Sequence, residues 1–222
     1  MDIKEAIEAR HSVRRYIDRP IEAETAETLQ KEIERINEES GLHIQLVLNE
    51  PMAFSGLIAH YGRFRNCKNY FVLSGPKDAA EKVGYYGEKL VLFCQTIGLN
   101  TCWVAGTYSK GKVPAEIPKG EKMHIVIAVG YGETQGKARR SKPMESLCKA
   151  DGEMPGWFKS AMRAAMLAPT AVNQQKFLFT LKEKDVVEAK SFFGPCSKID
   201  LGIVKYHFEI GSGGHPFKWA TS

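Results

Sequence analysis

The stretch MLAPTAVNQQKFLF, residues 166–179, decides how the rest of the chain is read. Upstream of it Trp157, Ala161, Ala164, Ala165 and Ala168 recur at helical spacing, the pattern of a helix packed closely on a core. Pro169 ends that helix, because it has no N–H for the ladder and holds the preceding residue away from helical geometry. Thr170, Asn173, Gln174, Gln175 and Lys176 follow, and then Phe177, Leu178 and Phe179 begin a buried strand. A helix, a short polar loop and an apolar strand would hold carboxamides rigidly at the mouth of a core. A carboxamide donates and accepts at once, which suits a planar heterocycle carrying ring carbonyls and N–H groups. On these residues alone an ordinary capped turn fits as well as a binding loop.

The composition sets the frame for that loop. The 222 residues are 43% hydrophobic and 26% charged, values of a globular chain long enough to bury a sizeable core. Lys and Arg number 31 against 26 Asp and Glu, a net charge of +5 that can favour a phosphorylated ligand but equally describes a solvated surface. The five cysteines, Cys67, Cys94, Cys102, Cys148 and Cys196, form no CxxC pair and are odd in number. That speaks for reduced thiols and a cytoplasmic protein, and against a disulfide framework or a zinc site. No apolar run reaches membrane-spanning length, and the N-terminus is a polar amphipathic helix rather than a leader.

Working outward, Asp2 and Glu5 have the spacing of a capping box, with Ile3, Ala6 and Ile7 as the apolar stripe behind it. The helix leads into RHSVRRY, residues 10–16, where Val13, Ile17 and Pro20 argue that it stops. Two guanidiniums around a hydroxyl and an imidazole are what a phosphate monoester needs, although a basic, solvated helix end would read the same. Residues 26–48 form a helix, a stop at Gly41 and an alternating strand, and residues 51–65 are irregular. A buried strand is expected at 70–73, a long helix at 77–97 with Gly98 beyond its end, and another buried strand at 125–129. Between them GLNTCWVAG, residues 98–106, is short and aromatic, and its small residues Ala105 and Gly106 would let backbone N–H groups approach a flat ligand. The basic run 137–142, KARRSK, is either a solvated loop or a second phosphate partner. A last helix is expected at about 200–210, and the glycine-rich tail after it lacks the strand and lysine of a phosphate loop. The helix–loop–strand units 26–48 and 157–181, and the pairs Gly87…Phe93 and Gly202…Phe208, form a faint internal repeat.

Four motifs together resemble the nitroreductase-like FMN flavoprotein superfamily. RHSVRRY is similar to its Arg-x-Ser-x-Arg phosphate motif, and APTAVNQQ at 168–175 to its Ala-Pro-Ser-x-x-Asn-x-Gln flavin loop, with Thr170 for Ser. GLNTCWVAG resembles the Gly-Leu-Gly-Thr-Cys-Trp loop over the flavin ring, and VGYGE with ARRSKP resembles the final strand and its basic segment. The chain departs from the family in two places. The Ala-Pro-Thr loop lies in the C-terminal half instead of after the first helices, and Gln174-Gln175-Lys176 stands where Gln-Pro is common.

The resemblance implies an α+β fold, a mixed or antiparallel sheet flanked by helices, as one domain over residues 1–222 with related halves at about 1–150 and 151–222. It implies non-covalent FMN and ping-pong transfer from NAD(P)H to a small-molecule electron acceptor, nitroaromatic or quinone, with no dedicated catalytic acid or base and no metal. Arg10, Ser12 and Arg14 would hold the phosphate and ribityl end with His11 nearby, and Arg140 and Lys142 would add positive charge. Thr170, Asn173 and Gln175 would bond the ring edge, backbone N–H groups of Ala105 and Gly106 would face its reactive side, and Trp103 would wall it or serve the core. The displaced loop implies a single-chain pseudo-dimer in which each half supplies one wall of one FMN site, with a monomer the expected state and a homodimer the alternative. A non-enzymatic flavin carrier or sensor would share every motif. A nucleic-acid-binding module would explain the arginines, but the chain lacks the basic-aromatic alternation such modules use, so no nucleic acid and no membrane are expected as partners.

Overall fold

The structure, a computed structural model, describes residues 1–220. It is an α+β protein with two four-stranded sheets flanked by helices. The chain forms two compact units: residues 9–79 and 90–138 with Met1 make the first, and residues 2–8, 80–89 and 139 onward make the second.

Helix α1 (Ile3–Ala9) starts at the expected capping box. The Asp2 carboxylate accepts from the N–H groups of Lys4 and Glu5 at 2.8 and 2.9 Å, and Glu5 accepts from the Asp2 N–H at 2.8 Å. In the first unit α2 (Ala23–Ser40) ends at Gly41, whose φ of +67° is the left-handed cap that glycine adopts without a steric penalty. Strands β1 (His43–Val47), β2 (Tyr70–Pro76), β3 (Asn100–Val104) and β4 (Glu121–Gly130) form an antiparallel sheet in the order β1-β2-β4-β3. Tyr70, Val72, Cys102, Val104, Val126 and Ala128 share a core with Phe54, Phe64 and Tyr16. The alternate residues Phe71, Leu73, Ile125 and Ile127 are buried as well, so both faces of β2 and β4 are covered. That double burial is why these strands read as continuous apolar runs in the sequence. Residues 51–65, irregular by sequence pattern, hold a short helix, α3 (Leu57–Tyr61).

Helix α4 (Ala80–Thr96) is divided: its residues 80–89 belong to the second unit. There the chain adds β5 (Cys148–Ala150), α5 (Gly156–Leu167), β6 (Phe177–Lys182), β7 (Val186–Ser191), α6 (Ser197–Gly211) and β8 (Lys218–Trp219). The sheet order is β5-β6-β7-β8, with β6 and β7 antiparallel and the two outer pairings parallel. Phe179 stacks on Phe208 at 4.7 Å, and Phe158 packs edge-on to Phe208 at 5.4 Å. Helices α4 and α6 cross backbone to backbone. A Cβ on Gly84 would lie 1.9 Å from the Ile199 carbonyl oxygen, and one on Gly202 would lie 1.9 Å from that of Glu81. The crossing is reciprocal, since Glu81 precedes Gly84 by three residues as Ile199 precedes Gly202. It relates Gly202 to Gly84, one turn before the Gly87 suggested by the sequence repeat.

The described residues contain no helix long and apolar enough to cross a membrane and no cluster of side chains able to hold a metal ion. All five cysteines are unpaired.

Candidate functional site

The residues singled out from the sequence fall into two clusters, one in each unit. In the first unit, residues 10–16 run extended rather than helical. Ser12 bridges Thr101 of β3, the Val13 N–H donates to the Thr101 carbonyl at 3.0 Å, and the Tyr16 N–H donates to the Arg65 carbonyl at 3.1 Å. The pairing follows from the β-branched and aromatic residues that stop α1. Val13 and Tyr16 enter the core, while Ser12 and Arg14 are exposed. Arg10, at the end of α1, is 4% exposed.

Burial pushes the Cys102 thiol up from its usual range, and Arg14, a hydrogen bond from Ser12 and Arg10 oppose the shift. His11 packs against Gly136, where a Cβ would meet its own Cβ at 2.7 Å. The turn after β4 is fastened beside the arginine segment. The Gly132 N–H donates to Asn100 Oδ1 at 3.0 Å, and the Glu133 N–H donates to the Arg15 carbonyl at 2.9 Å. Trp103 is half-buried in β3, and Ala105 and Gly106 form an exposed bend at the end of that strand. A Cβ on Gly106 would meet nothing within 4 Å, so no protein atom requires glycine there.

In the second unit the loop after α5 is over-determined. Helix α5 ends at Leu167 as Pro169 demands, which leaves its last carbonyls without helical partners. Side chains take them. Arg139 donates to Met166 at 3.1 Å and also to Ala168, Ser141 donates to Met166 at 2.9 Å, and His207 Nδ1 bonds Ala164 at 3.1 Å. A guanidinium there also complements the negative end of the helix dipole. Beyond the helix, Val172, Asn173 and Gln175 have φ of +46°, +55° and +43°. For a β-branched residue such as Val172 that region is strained, and strain of this kind gathers at functional loops.

Within the loop the Thr170 hydroxyl accepts from the Gln175 N–H at 3.1 Å, and Asn173 donates to the Arg140 carbonyl at 2.9 Å. Asn173 is exposed, and its carbonyl oxygen has no partner among the described residues. Gln175, expected at a ring edge, is 2% exposed and turned inward. Its oxygen accepts from the Lys142 N–H at 2.7 Å and its nitrogen donates to Ser141 at 2.9 Å. The Lys142 ammonium donates to the carbonyls of Gln174 and Gln175 at 2.7 and 3.2 Å, whereas the Arg140 side chain is exposed without a partner among the described residues.

Asp200 went unnoticed in the sequence. It sits in the first turn of α6 and accepts from the Ala171 N–H at 3.0 Å and from Gln174 Nε2 at 2.7 Å, pinning the loop to the helix. Burial raises its carboxyl from 3.8 to about 6, against the bonds from Gln174 and Ala171 and the charge of Arg139. Nothing local in the sequence announces a bond reaching back across so many residues. The shift has a testable sign. The unfolded chain releases this proton near pH 3.8 and the folded protein holds it to about pH 6. Its contribution is therefore full below pH 4, is lost as pH rises from 4 to 6, and amounts to about 3 kcal/mol. Urea unfolding of the wild type and Asp200→Asn across pH 4–7 should show the variant flatter through that window. Parallel curves would refute the assignment.

The family model described as "Putative TM nitroreductase" matches residues 2–212 of this chain. Among solved structures, a "putative nitroreductase (tm1586)" from Thermotoga maritima aligns with TM-score 0.64 at 23% identity, over 95% of this chain and 83% of that one. A Desulfovibrio desulfuricans "putative nitroreductase in complex with FMN" aligns with TM-score 0.50 at 16% identity, over 66% and 95% of the two chains. A Parabacteroides distasonis "Putative NADH dehydrogenase/NAD(P)H nitroreductase" aligns with TM-score 0.51 at 20% identity, over 65% and 95%. At these identities the likenesses show the fold. No curated protein matches the chain.

Proposed function

The chain belongs to the nitroreductase family whose model spans residues 2–212, and on that premise we propose that it is an FMN-dependent oxidoreductase. It takes reducing equivalents from NAD(P)H and passes them to a small acceptor, nitroaromatic or quinone, in two half-reactions. The observation that carries this reading is family membership over nearly the whole chain, and the chemistry of the arginine cluster supports it. Two guanidiniums and a hydroxyl on a backbone fastened to β3 fit a phosphate monoester. The FMN complex of the Desulfovibrio structure and the NAD(P)H in the Parabacteroides name point the same way.

FMN, when bound, supplies the redox chemistry, and the protein supplies binding and electrostatics. In the first unit, Arg10, Ser12 and Arg14 would take the phosphate end, with His11 beside them. In the second unit, the exposed Asn173 carboxamide and the Thr170 hydroxyl are the loop groups able to bond a ligand, with Arg140 as an exposed charge, while Gln175 and Lys142 hold the loop in its strained shape. Backbone N–H groups of Ala105 and Gly106, exposed at the end of β3, would be open to a flat ligand and could donate to it. No side chain is needed as a proton donor or acceptor. The unpaired cysteines fit a cytoplasmic protein. The reciprocal crossing of α4 and α6 supports two related halves within one chain, and with them a monomer.

Arg14 is the cleaner test of the phosphate assignment, because it is exposed and its guanidinium has no hydrogen-bonding partner among the described residues. A charge-assisted hydrogen bond is worth about 1.5–3 kcal/mol, so Arg14→Ala should weaken FMN about ten- to a hundredfold. Riboflavin, which lacks the phosphate, should bind almost as before. Equal losses for the two flavins would remove Arg14 from the phosphate site. The activity itself is tested by anaerobic addition of NADH or NADPH to the FMN-loaded protein. Bleaching of the flavin absorbance, reversed by a quinone, is expected, and a flavin that stays oxidised with both donors would leave a carrier rather than an enzyme.

A further inference from the structure

A cavity of about 430 Å³ opens in the second unit, and neither the arginine segment 10–16 nor the polar loop 168–176 lines it. Helix α1 contributes Lys4, Ile7 and Glu8, α5 contributes Trp157, Arg163 and Leu167, and the end of α6 closes it. Its volume lies in the range of small-molecule sites, about 300–1,000 Å³. The lining is divided by chemistry. Ile7 is buried, Trp157 is half-buried and held in place by stacking on His215 at 4.4 Å, and Leu167 leaves 42% of its surface in water. An apolar side chain left wet beside a fixed indole is surface that a ring would cover favourably.

The charged side chains make no close pair, although the Lys4 charge helps hold the neighbouring Asp2 carboxyl below its usual range, after the backbone bond from Glu5. Neither the Lys4 ammonium nor the Arg163 guanidinium has a hydrogen-bond or ion-pair partner among the described residues, and Glu8, one turn from Lys4, has none either. Two cations against one carboxylate leave the lining net positive. We propose that this cavity binds a small aromatic anion, an aryl carboxylate or sulfonate, as a site separate from the flavin. The ring lies against Ile7, Trp157 and Leu167, and the acid group meets Arg163 and Lys4, with Arg163 able to offer a two-pronged fork. Glu8 limits the affinity and selects against dianions.

The test is calorimetric titration of the full chain, with and without saturating FMN, using 2-naphthoate and its neutral counterpart 2-naphthylmethanol. Saturable binding of one naphthoate per chain is expected in both conditions, with the alcohol about tenfold weaker or worse. Arg163→Glu changes an exposed helix position and should weaken naphthoate more than about tenfold. Glu8→Gln should tighten it severalfold by removing the opposing charge. Binding unchanged by Arg163→Glu, naphthoate and alcohol bound alike, weaker binding in Glu8→Gln, or displacement by FMN would each overturn the assignment. Failure of FMN to bind at all would leave this result intact, since the titration without FMN reads the cavity alone.

Discussion

Gly202→Ala is expected to lower the melting temperature by about 6–12 °C, a cost of about 3 kcal/mol in a chain of this size. The sign is the informative part, because alanine inside a helix is ordinarily favoured over glycine by about 1 kcal/mol. Here the new methyl would start 1.9 Å from the Glu81 carbonyl oxygen and 2.6 Å from the Tyr85 amide nitrogen. Both are backbone atoms, so no rotamer change relieves the clash and α4 and α6 must move apart. Separation also loosens the bonds that flank the crossing, Lys205 to Glu81 at 2.5 Å and Tyr85 to Glu209. Gly111→Ala is the control, since a Cβ there meets nothing within 4 Å. Differential scanning calorimetry on both variants decides it, and a Gly202→Ala protein as stable as the control would mean the helices do not cross in contact.

Glu88→Leu should cost about 3–5 kcal/mol, the range for breaking a buried ion pair by removing one partner. Glu88 and His207 are both fully buried, with Glu88 Oε1 2.8 Å from His207 Nε2. The other ring nitrogen faces the Ala164 carbonyl at 3.1 Å, and since a carbonyl only accepts, Nδ1 carries a hydrogen. The ring therefore joins α4, α5 and α6, and it caps one of the orphan carbonyls that precede the polar loop. Leucine leaves Nε2 without a partner in a dry interior. Glu88→Gln can still donate to a neutral ring and should cost about 1 kcal/mol. Chemical denaturation separates the two variants; equal and small losses would show that the pair contributes nothing to stability.

Much of this architecture is written locally. The capping box at Asp2 and Glu5, the left-handed Gly41, the stop at Pro169 and the apolar runs of β2 and β4 each depend on neighbours a few residues away. Strands β5, β7 and β8 do not. The first and last are only three and two residues long, and VVEAKS in β7 is half-exposed with little alternation. The turn between β6 and β7 places Lys184 and Asp185 at φ of +57° and +55°, a hairpin geometry usually announced by Asn-Gly. The candidate site divides in the same way. The arginine segment and the polar loop were legible as motifs, because residue type and spacing carry them. The orientation of Gln175 was not, because its partners Ser141 and Lys142 come from a basic run that reads as a solvated or phosphate-binding loop. Arg139 and Asp200 were missed for the same reason, since each serves the loop through a bond to a residue remote in sequence.

The flavin content of the purified chain tests the central proposal most directly. After FMN is added and the excess removed, the absorbance spectrum is read on the peak whose mass is set by light scattering. One FMN per chain on a monomer, with the absorbance of oxidised flavin, is the predicted result. A colourless monomer that does not retain FMN would contradict it.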